Sequence, residues 1–522
     1  MRFLRCGARR SAVVAAALLL STRGAEAGIS PAQVLVVYNS ASADGTALKD
    51  YYLAAHPGIP AAHVFDLNNA ALLTHTITYL DFVNLVRNPL RAFLDAPGPP
   101  EAADIIALAL IRPVPHRIFD INFGAGTVGD NPSGTVNVFL NGNVTAASVD
   151  AELTLLWQNL SAGEAGGTMD SFADNVIVNP YFKQTNPIDS ALFPRAGIKN
   201  AKTFVNVSNV AWFNGGAMPL TAGDIYLVCR VDACSLADAQ AVVDRARDLY
   251  VNRAAVKVLL DEYGPCGQGD LDDDFLFNPP AADPFFGGPD YEDTRDLLVA
   301  GGWTVRHDHA FTFITPALEP GLLVGYASYG ENHSANGCGE NPAGDGTYIF
   351  GFRFAPGAIF NTLESYNARG LNGLPTLFNQ GQICDFINAG GTFGVGNVFE
   401  PFSVFVPDNE FLYQNFLVNG RTFAEAAWSG IPALSWQQVA VGDPLARAAV
   451  INDPGLPRGD MNGDGRVDGE DIRWFESVLQ TGPAAARAAF PGLDPILRGD
   501  FTGDYRVTPA DVPGFVAALL GL

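Results

Sequence analysis

The sequence predicts an α/β protein with a mainly parallel sheet sandwiched by helices, followed by a small helical module. Three observations predict it. Continuous apolar runs, such as Val34 to Asn39 (VLVVYN) and Asp104 to Arg112 (DIIALALIR), have the composition of strands buried on both faces. These runs alternate with helical stretches at the spacing of βαβ units. From residue 459 the sequence changes character. Gly459 to Leu479 and Gly499 to Leu519 match at an offset of 40, each an Asp-rich loop and then an apolar helix.

The elements follow in order. After the first strand, Ala47 to Ala55 reads as a helix, broken by Pro57, Gly58 and Pro60, and His63 to Leu67 as a second strand. A helix over about 80–95 leads to the strand within 104–112. Residues 120–220 are rich in Asn, Gly and Pro and are expected as insertions on one edge of the sheet. Asp224 to Arg230 is a strand, and Ala237 to Tyr250 a helix with Ala241, Val242, Ala246 and Leu249 on one face. Val256 to Leu260 is a strand. Asp290 to Ala300 is a helix that Asp290 can cap, with Asp293 at its third position. Further strands are expected at Trp303 to Val305, Leu322 to Tyr326 and Thr392 to Val395. Val439 to Pro444 closes the large domain, 28–449, and the Pro/Gly-rich 450–458 reads as a linker.

Composition narrows the function. Of 522 residues, 48% are hydrophobic and 16% charged, which provides a large core and excludes global disorder. The formal net charge is −24. A surface this acidic repels phosphate backbones, so nucleic acid is not an expected partner. The balance suits a calcium-binding, exported protein. Residues 1–27 read as a signal peptide: Arg2, Arg5, Arg9 and Arg10, then the apolar Ser11 to Leu20, then Ala25-Glu26-Ala27. The apolar run is shorter than the roughly 20 residues that a membrane-spanning helix needs. The protein is therefore expected to be secreted or at the cell surface. Past the signal remain Cys229, Cys234, Cys266, Cys338 and Cys384, an odd number that leaves at least one thiol outside an internal bridge. Cys266 and Cys338 each sit beside Gly and are candidates for a pair.

The strongest motif is the repeated loop. Asp460, Asn462, Asp464, Asp468 and Asp471 place oxygens at positions 1, 3, 5, 9 and 12, with Gly465 at position 6 and the Arg466 carbonyl at position 7. A hard cation takes six to eight oxygens, and this spacing wraps them round one point. The second loop keeps Asp500, Thr502, Asp504, Thr508 and Asp511, with Arg506 at position 7, but Tyr505 replaces the glycine. Calcium is the expected cofactor. Ile472, Phe475, Val478 and Leu479 form the apolar stripe of one helix. Val512, Phe515, Val516 and Leu519 repeat it in the other.

Both loops end in Asp and each precedes one helix, so 457–522 resembles a type I dockerin, an EF-hand-like module. The resemblance implies folding on calcium and docking to a cohesin-like partner, often to place enzymes of polysaccharide breakdown on a scaffold. Gly469-Glu470 and Pro509-Ala510 replace the usual hydroxyl pair.

The large domain shows no P-loop, GxSxG, HExxH or strand-borne GxGxxG pattern. Three of its segments resemble gingipain-type cysteine peptidases: Asp224 to Tyr250, Gly321 to Gly330 (GLLVGYASYG) and Ala389 to Pro401 (AGGTFGVGNVFEP). Residues 31–447 also resemble an uncharacterised family of exported bacterial proteins, through VLVVYN, SVDAELTLLW, NPYF, FAPGAI, VFEP and LSWQQVAVGDP. The gingipain resemblance implies a caspase–hemoglobinase fold with its site at the carboxyl ends of the strands. It puts Tyr329 at the place of the catalytic His and Ser365 at that of the nucleophile. Two readings follow: a degenerate site without peptidase chemistry, or a rewired hydrolase with His333 as base for Ser365. Arg230 and Asp232 either face a ligand crevice or form a structural ion pair. The acidic 269–275 reads as a solvated loop, since it lacks loop spacing.

Overall fold

The computed structural model describes residues 28–122, 143–158, 177–202, 220–262, 290–308, 313–330, 347–371, 381–399 and 406–522. The expected signal peptide, His333, Cys266, Cys338 and the acidic 269–275 lie outside the described residues.

Ten strands form the main sheet: β1 (Val34–Tyr38), β2 (Val64–Asp66), β3 (Ala107–Ile111), β4 (Leu227–Val231), β5 (Lys257–Asp261), β6 (Thr304–Asp308), β7 (Leu322–Ser328), β8 (Arg353–Thr362), β9 (Phe393–Asn397) and β10 (Gln438–Val441). Their order is β6-β5-β7-β8-β9-β10-β4-β3-β1-β2. All neighbours are parallel except β9 and β10. The sheet is therefore two parallel blocks of opposite direction, joined at that antiparallel seam. The carboxyl ends of the two blocks lie at opposite edges. Strands inside the sheet are buried on both faces because helices cover both: all five residues of β3 and of β4 are buried, Arg230 of β4 among them.

The covering helices are α1 (Ala43–Ala55), α2 (Val149–Thr154), α3 (Leu236–Ala246), α4 (Tyr291–Ala300), α5 (Ile383–Asn388) and α6 (Phe423–Gly430). Local chemistry starts several of them. Ser42 and Ser235 accept backbone N–H bonds at the starts of α1 and α3, and Thr422 with Glu425 forms a reciprocal cap on α6. Asp290 departs from expectation. It stands before α4 in the left-handed region, with φ of 44°, and its side chain makes no capping bond. The expected helix over 237–250 stops at Ala246, because the chain turns there into a short strand, Tyr250–Asn252.

Residues 143–158 are not an edge insertion. Every residue of α2 is buried, and Ser148 donates to the Gln438 carbonyl at 2.6 Å. The reason is charge. Asp150 of α2 receives Arg230 of β4 through Nε at 2.9 Å and Nη2 at 2.5 Å. The same guanidinium donates to the carbonyls of Val114 and Pro115 at 3.0 and 3.1 Å and to Asp232 at 3.3 Å. All five of its N–H donors are thus used, as a fully buried guanidinium requires. Arg230 and Asp232 are a structural pair, not the lining of a crevice. Burial pushes the Asp232 carboxyl up to about 6, against the pull of Arg230 and Arg112.

A disulfide joins Cys234, before α3, to Cys384 in α5, and so ties the two blocks together. Cys229 is the free cysteine among the described residues, buried in β4.

The C-terminal module carries α7 (Ile472–Thr481), α8 (Ala484–Ala489), α9 (Pro495–Gly499) and α10 (Val512–Leu519). Its small core is Met461, Phe475, Val478, Ala486 and Phe515. Phe475 and Phe515, equivalent in the two repeats, stack at 4.0 Å with planes 3° apart. Ile472 and Val516 leave the expected stripe and are 47% and 45% exposed. The expected linker is itself held in place. Ala449–Ile451 pairs in parallel with Tyr250–Asn252, and Asp453 is buried.

Removing one partner of the Arg230–Asp150 pair leaves a buried charge uncompensated. Arg230→Met is expected to destabilise the large domain by about 3–5 kcal/mol, measured by urea denaturation. An effect under 1 kcal/mol would contradict the seam role.

Candidate functional site

Two regions concentrate chemistry-bearing side chains. The first is the carboxyl edge of β5, β7 and β8. Ser328, at the end of β7, pairs with Thr362 at the end of β8. Tyr329 and Gly330 follow on one strand, Leu363, Glu364 and Ser365 on the other. The positions that the peptidase resemblance aligns with a catalytic dyad therefore do reach adjacent strand ends. Their contents differ from a dyad. Tyr329 is buried, its ring meets Phe313 edge-on at 5.6 Å, and burial holds its phenol far above the usual range. A phenol so held is no base at neutral pH. Ser365 is only 8% exposed. His333 is outside the described residues, so no base for Ser365 is placed.

Glu364 fills the space beside this turn. Its Oε2 accepts from the Tyr348 hydroxyl at 3.0 Å, the Gly381 N–H at 2.9 Å and the Thr362 hydroxyl at 3.3 Å. Gly330 has φ of +86°, and a Cβ there would stand 2.1 Å from Glu364 Cγ. Only glycine satisfies both constraints. Asp261, at the end of β5, is buried, accepts from the Ile314 N–H at 2.9 Å, and is held by burial well above the carboxylate range. Asp261, Ser328 and Glu364 form a buried polar layer at this edge.

Two groupings escaped the sequence reading. His307 lies 2.5 Å from Glu262 through Nε2, and Arg295 Nη1 meets its Nδ1 at 3.0 Å. A guanidinium only donates, so Nδ1 accepts and Nε2 carries the proton toward Glu262. Glu292 joins them with a ligand atom within 4.8 Å. The His307 grouping braces α4 against β5 and β6. In the other grouping, Asp443 accepts from the Tyr52 hydroxyl at 3.0 Å and lies 2.7 Å from His56 Nε2. The only signal in the sequence was the VGDP segment itself. Neither His56 nor His307 carried a partner close in sequence.

The second region is the pair of acidic loops. In the first, Asp460 accepts from the N–H groups of Gly463, Asp464 and Gly465 at 2.7, 3.1 and 3.0 Å. Asp471 closes it, accepting from Met461, Asn462 and Asp468 at 2.7, 3.2 and 2.9 Å. The second loop repeats this. Asp500 accepts from Gly503, Asp504 and Tyr505 at 2.6, 3.2 and 2.7 Å, and Asp511 from Phe501, Thr502 and Thr508 at 2.8, 2.9 and 2.8 Å. The first and last acids of each loop are buried, and the middle ones, Asp464 and Asp504, are exposed. At position 6, Gly465 has φ of +88° and Tyr505 of 60°. The groupings with ligand atoms within 4.8 Å of one another lie elsewhere among the described residues: Glu262, Glu292 and His307, and Asp290, Asp293 and Glu410. In the loops the carboxylates turn instead to backbone N–H groups.

No family model and no curated protein matches the chain. The resemblance of 31–447 to an exported family therefore rests on its sequence segments alone. Among solved structures the chain is similar to the Arg specific cysteine proteinase gingipain R, with 11% identity and a TM-score of 0.39, over 80% of this chain and 78% of that one. No helix among the described residues is long and apolar enough to cross a membrane.

Gly330→Ala is expected to destabilise the large domain by about 1–3 kcal/mol, because Glu364 must move. Chemical denaturation of the full chain checks this. An unchanged midpoint would mean that the Ser328–Gly330 turn is not fixed by Glu364.

Proposed function

We propose that this chain is an exported calcium-binding protein. A dockerin-like C-terminal module carries a large domain of caspase–hemoglobinase-like architecture that has lost peptidase chemistry. The observation that carries the reading is the repeat itself. Two loops 40 residues apart fold alike, each with its first and last acid buried and gathering the loop's backbone.

The donor chemistry fits a hard cation. Asp460, Asn462, Asp464, Asp468 and Asp471 with the Arg466 carbonyl would hold one calcium ion. Asp500, Thr502, Asp504, Thr508 and Asp511 with the Arg506 carbonyl would hold a second. Burial, and to a smaller degree the Asp460 charge, raise the Asp471 carboxyl, against the pull of three backbone N–H groups. Calcium would supply the positive charge that offsets this repulsion and closes the loop. The stacked Phe475 and Phe515 join the two repeats, so both loops bear on one small core. Docking to a cohesin-like partner is the use that the dockerin resemblance suggests for such a module.

Support for the degenerate site comes from Tyr329. A buried phenol in place of a histidine supplies no proton acceptor at neutral pH. The hydrolase reading, with Ser365 and His333, gains nothing from the described residues, since Ser365 is buried.

The full chain is expected to take up two calcium ions in isothermal titration. The double variant Asp460→Ala, Asp471→Ala should take up one. At free calcium near a hundred times Kd, each site adds about 2.7 kcal/mol to the stability of the module. No uptake by the wild-type chain would overturn the reading.

A further inference from the structure

Both acidic loops are wired to one asparagine of the large domain. Asn252 ends the short strand Tyr250–Asn252 and is buried. Its amide nitrogen donates to the Asp453 carbonyl at 2.8 Å and to Asp494 Oδ2 at 2.9 Å. Its amide oxygen accepts from the Asp453 N–H at 3.0 Å. Two branches run from there.

On the first branch, Asp453 holds Arg498 in a bidentate pair at 2.8 and 2.9 Å. Arg498 then donates to the Asp460 carbonyl at 2.7 Å and stands 3.3 Å from Asp460 Oδ2. Asp460 is position 1 of the first loop. On the second branch, Asp494 Oδ2 also accepts from the Tyr505 hydroxyl at 2.7 Å. Tyr505 is position 6 of the second loop, in the backbone region that favours glycine. The side chain that breaks the loop motif is therefore the one that reaches the large domain's hydrogen-bond system. A direct contact supports the same seating: Arg353 of β8 donates to the Gly503 carbonyl, inside the second loop, at 2.9 Å.

We propose that calcium uptake by the two loops and the seating of the module on the large domain are one coupled equilibrium, transmitted through Asn252, Asp453, Asp494, Arg498 and Tyr505. The proposal rests on the calcium reading above and adds a partner to it: the chain's own large domain. The physical ground is orientation. Arg498 holds Asp460 through its carbonyl and stands beside its Oδ2, so the placement of that side chain depends on Arg498. Arg498 is fixed by Asp453, and Asp453 by Asn252. Charge-assisted, bidentate bonds of this kind are strong and directional when buried. Coupling is reciprocal: whatever seats the module favours loop closure, and loop closure favours seating by the same factor.

The test uses the full chain and two substitutions that remove no calcium ligand. Asn252→Ala cuts both branches at their origin. Tyr505→Phe removes a single hydroxyl and leaves the backbone as it is. Calcium affinity is read by isothermal titration, and seating by proteolysis within 450–458 with and without a chelator. Asn252→Ala is expected to weaken calcium binding by roughly fivefold or more, and Tyr505→Phe to weaken one of the two sites. Chelation should open 450–458 to cleavage in the wild type. Two wild-type sites, with affinities in both variants within twofold of wild type and cleavage indifferent to calcium, would overturn the coupling and leave the calcium reading standing. Absence of any wild-type uptake would overturn both. If Asn252→Ala fails to fold, Tyr505→Phe alone decides between these outcomes.

Discussion

The architecture depends on burying one guanidinium at a seam. Two parallel blocks of opposite direction meet where β9 and β10 pair antiparallel. Beside that seam, Arg230 uses all its donors on Asp150, Asp232 and two carbonyls. A charge so deep is tolerable only when every donor is satisfied. Its partner Asp150 brings α2 to the middle of the sheet rather than to its margin. The disulfide from Cys234 to Cys384 adds a covalent tie between the same two blocks. The reversal also separates the chemistry. Arg230 and Asp232 end at one edge, and the layer of Asp261, Ser328, Tyr329 and Glu364 at the other.

At that second edge the positions just past β7 and β8 hold a buried phenol, Tyr329, and a buried hydroxyl, Ser365. Glu364 occupies the room beside Gly330 and is engaged by three donors. A layer built this way gives stability to the strand ends. It offers no proton acceptor of suitable pKa at Tyr329.

The buried strands were legible in the sequence because a strand covered on both faces must be apolar throughout, as in VLVVYN and DIIALALIR. The loops were legible because the same residue types recur at the same spacing in two copies 40 residues apart. What stayed hidden depends on distance along the chain. Asp150 and Arg230 are 80 residues apart, and His307 and Glu262 are 45. Strand direction at the seam has no local signal either, since β10 reads as any apolar strand. Composition at 450–458 read as a Pro/Gly linker and carried no sign that Asn252 and Arg498 hold Asp453 from two sides. Ile472 and Val516 misled, being apolar at helical spacing and yet exposed.

We propose that the acidic loops and the large domain share one equilibrium with calcium. Amide hydrogen exchange of the full chain, with calcium and with a chelator, tests it most directly, because it reads local opening residue by residue. Calcium is expected to slow exchange in the loops and also at Asn252 and Asp453, which lie outside both proposed ligand sets. Protection confined to 460–471 and 500–511, or no protection at all, would contradict it.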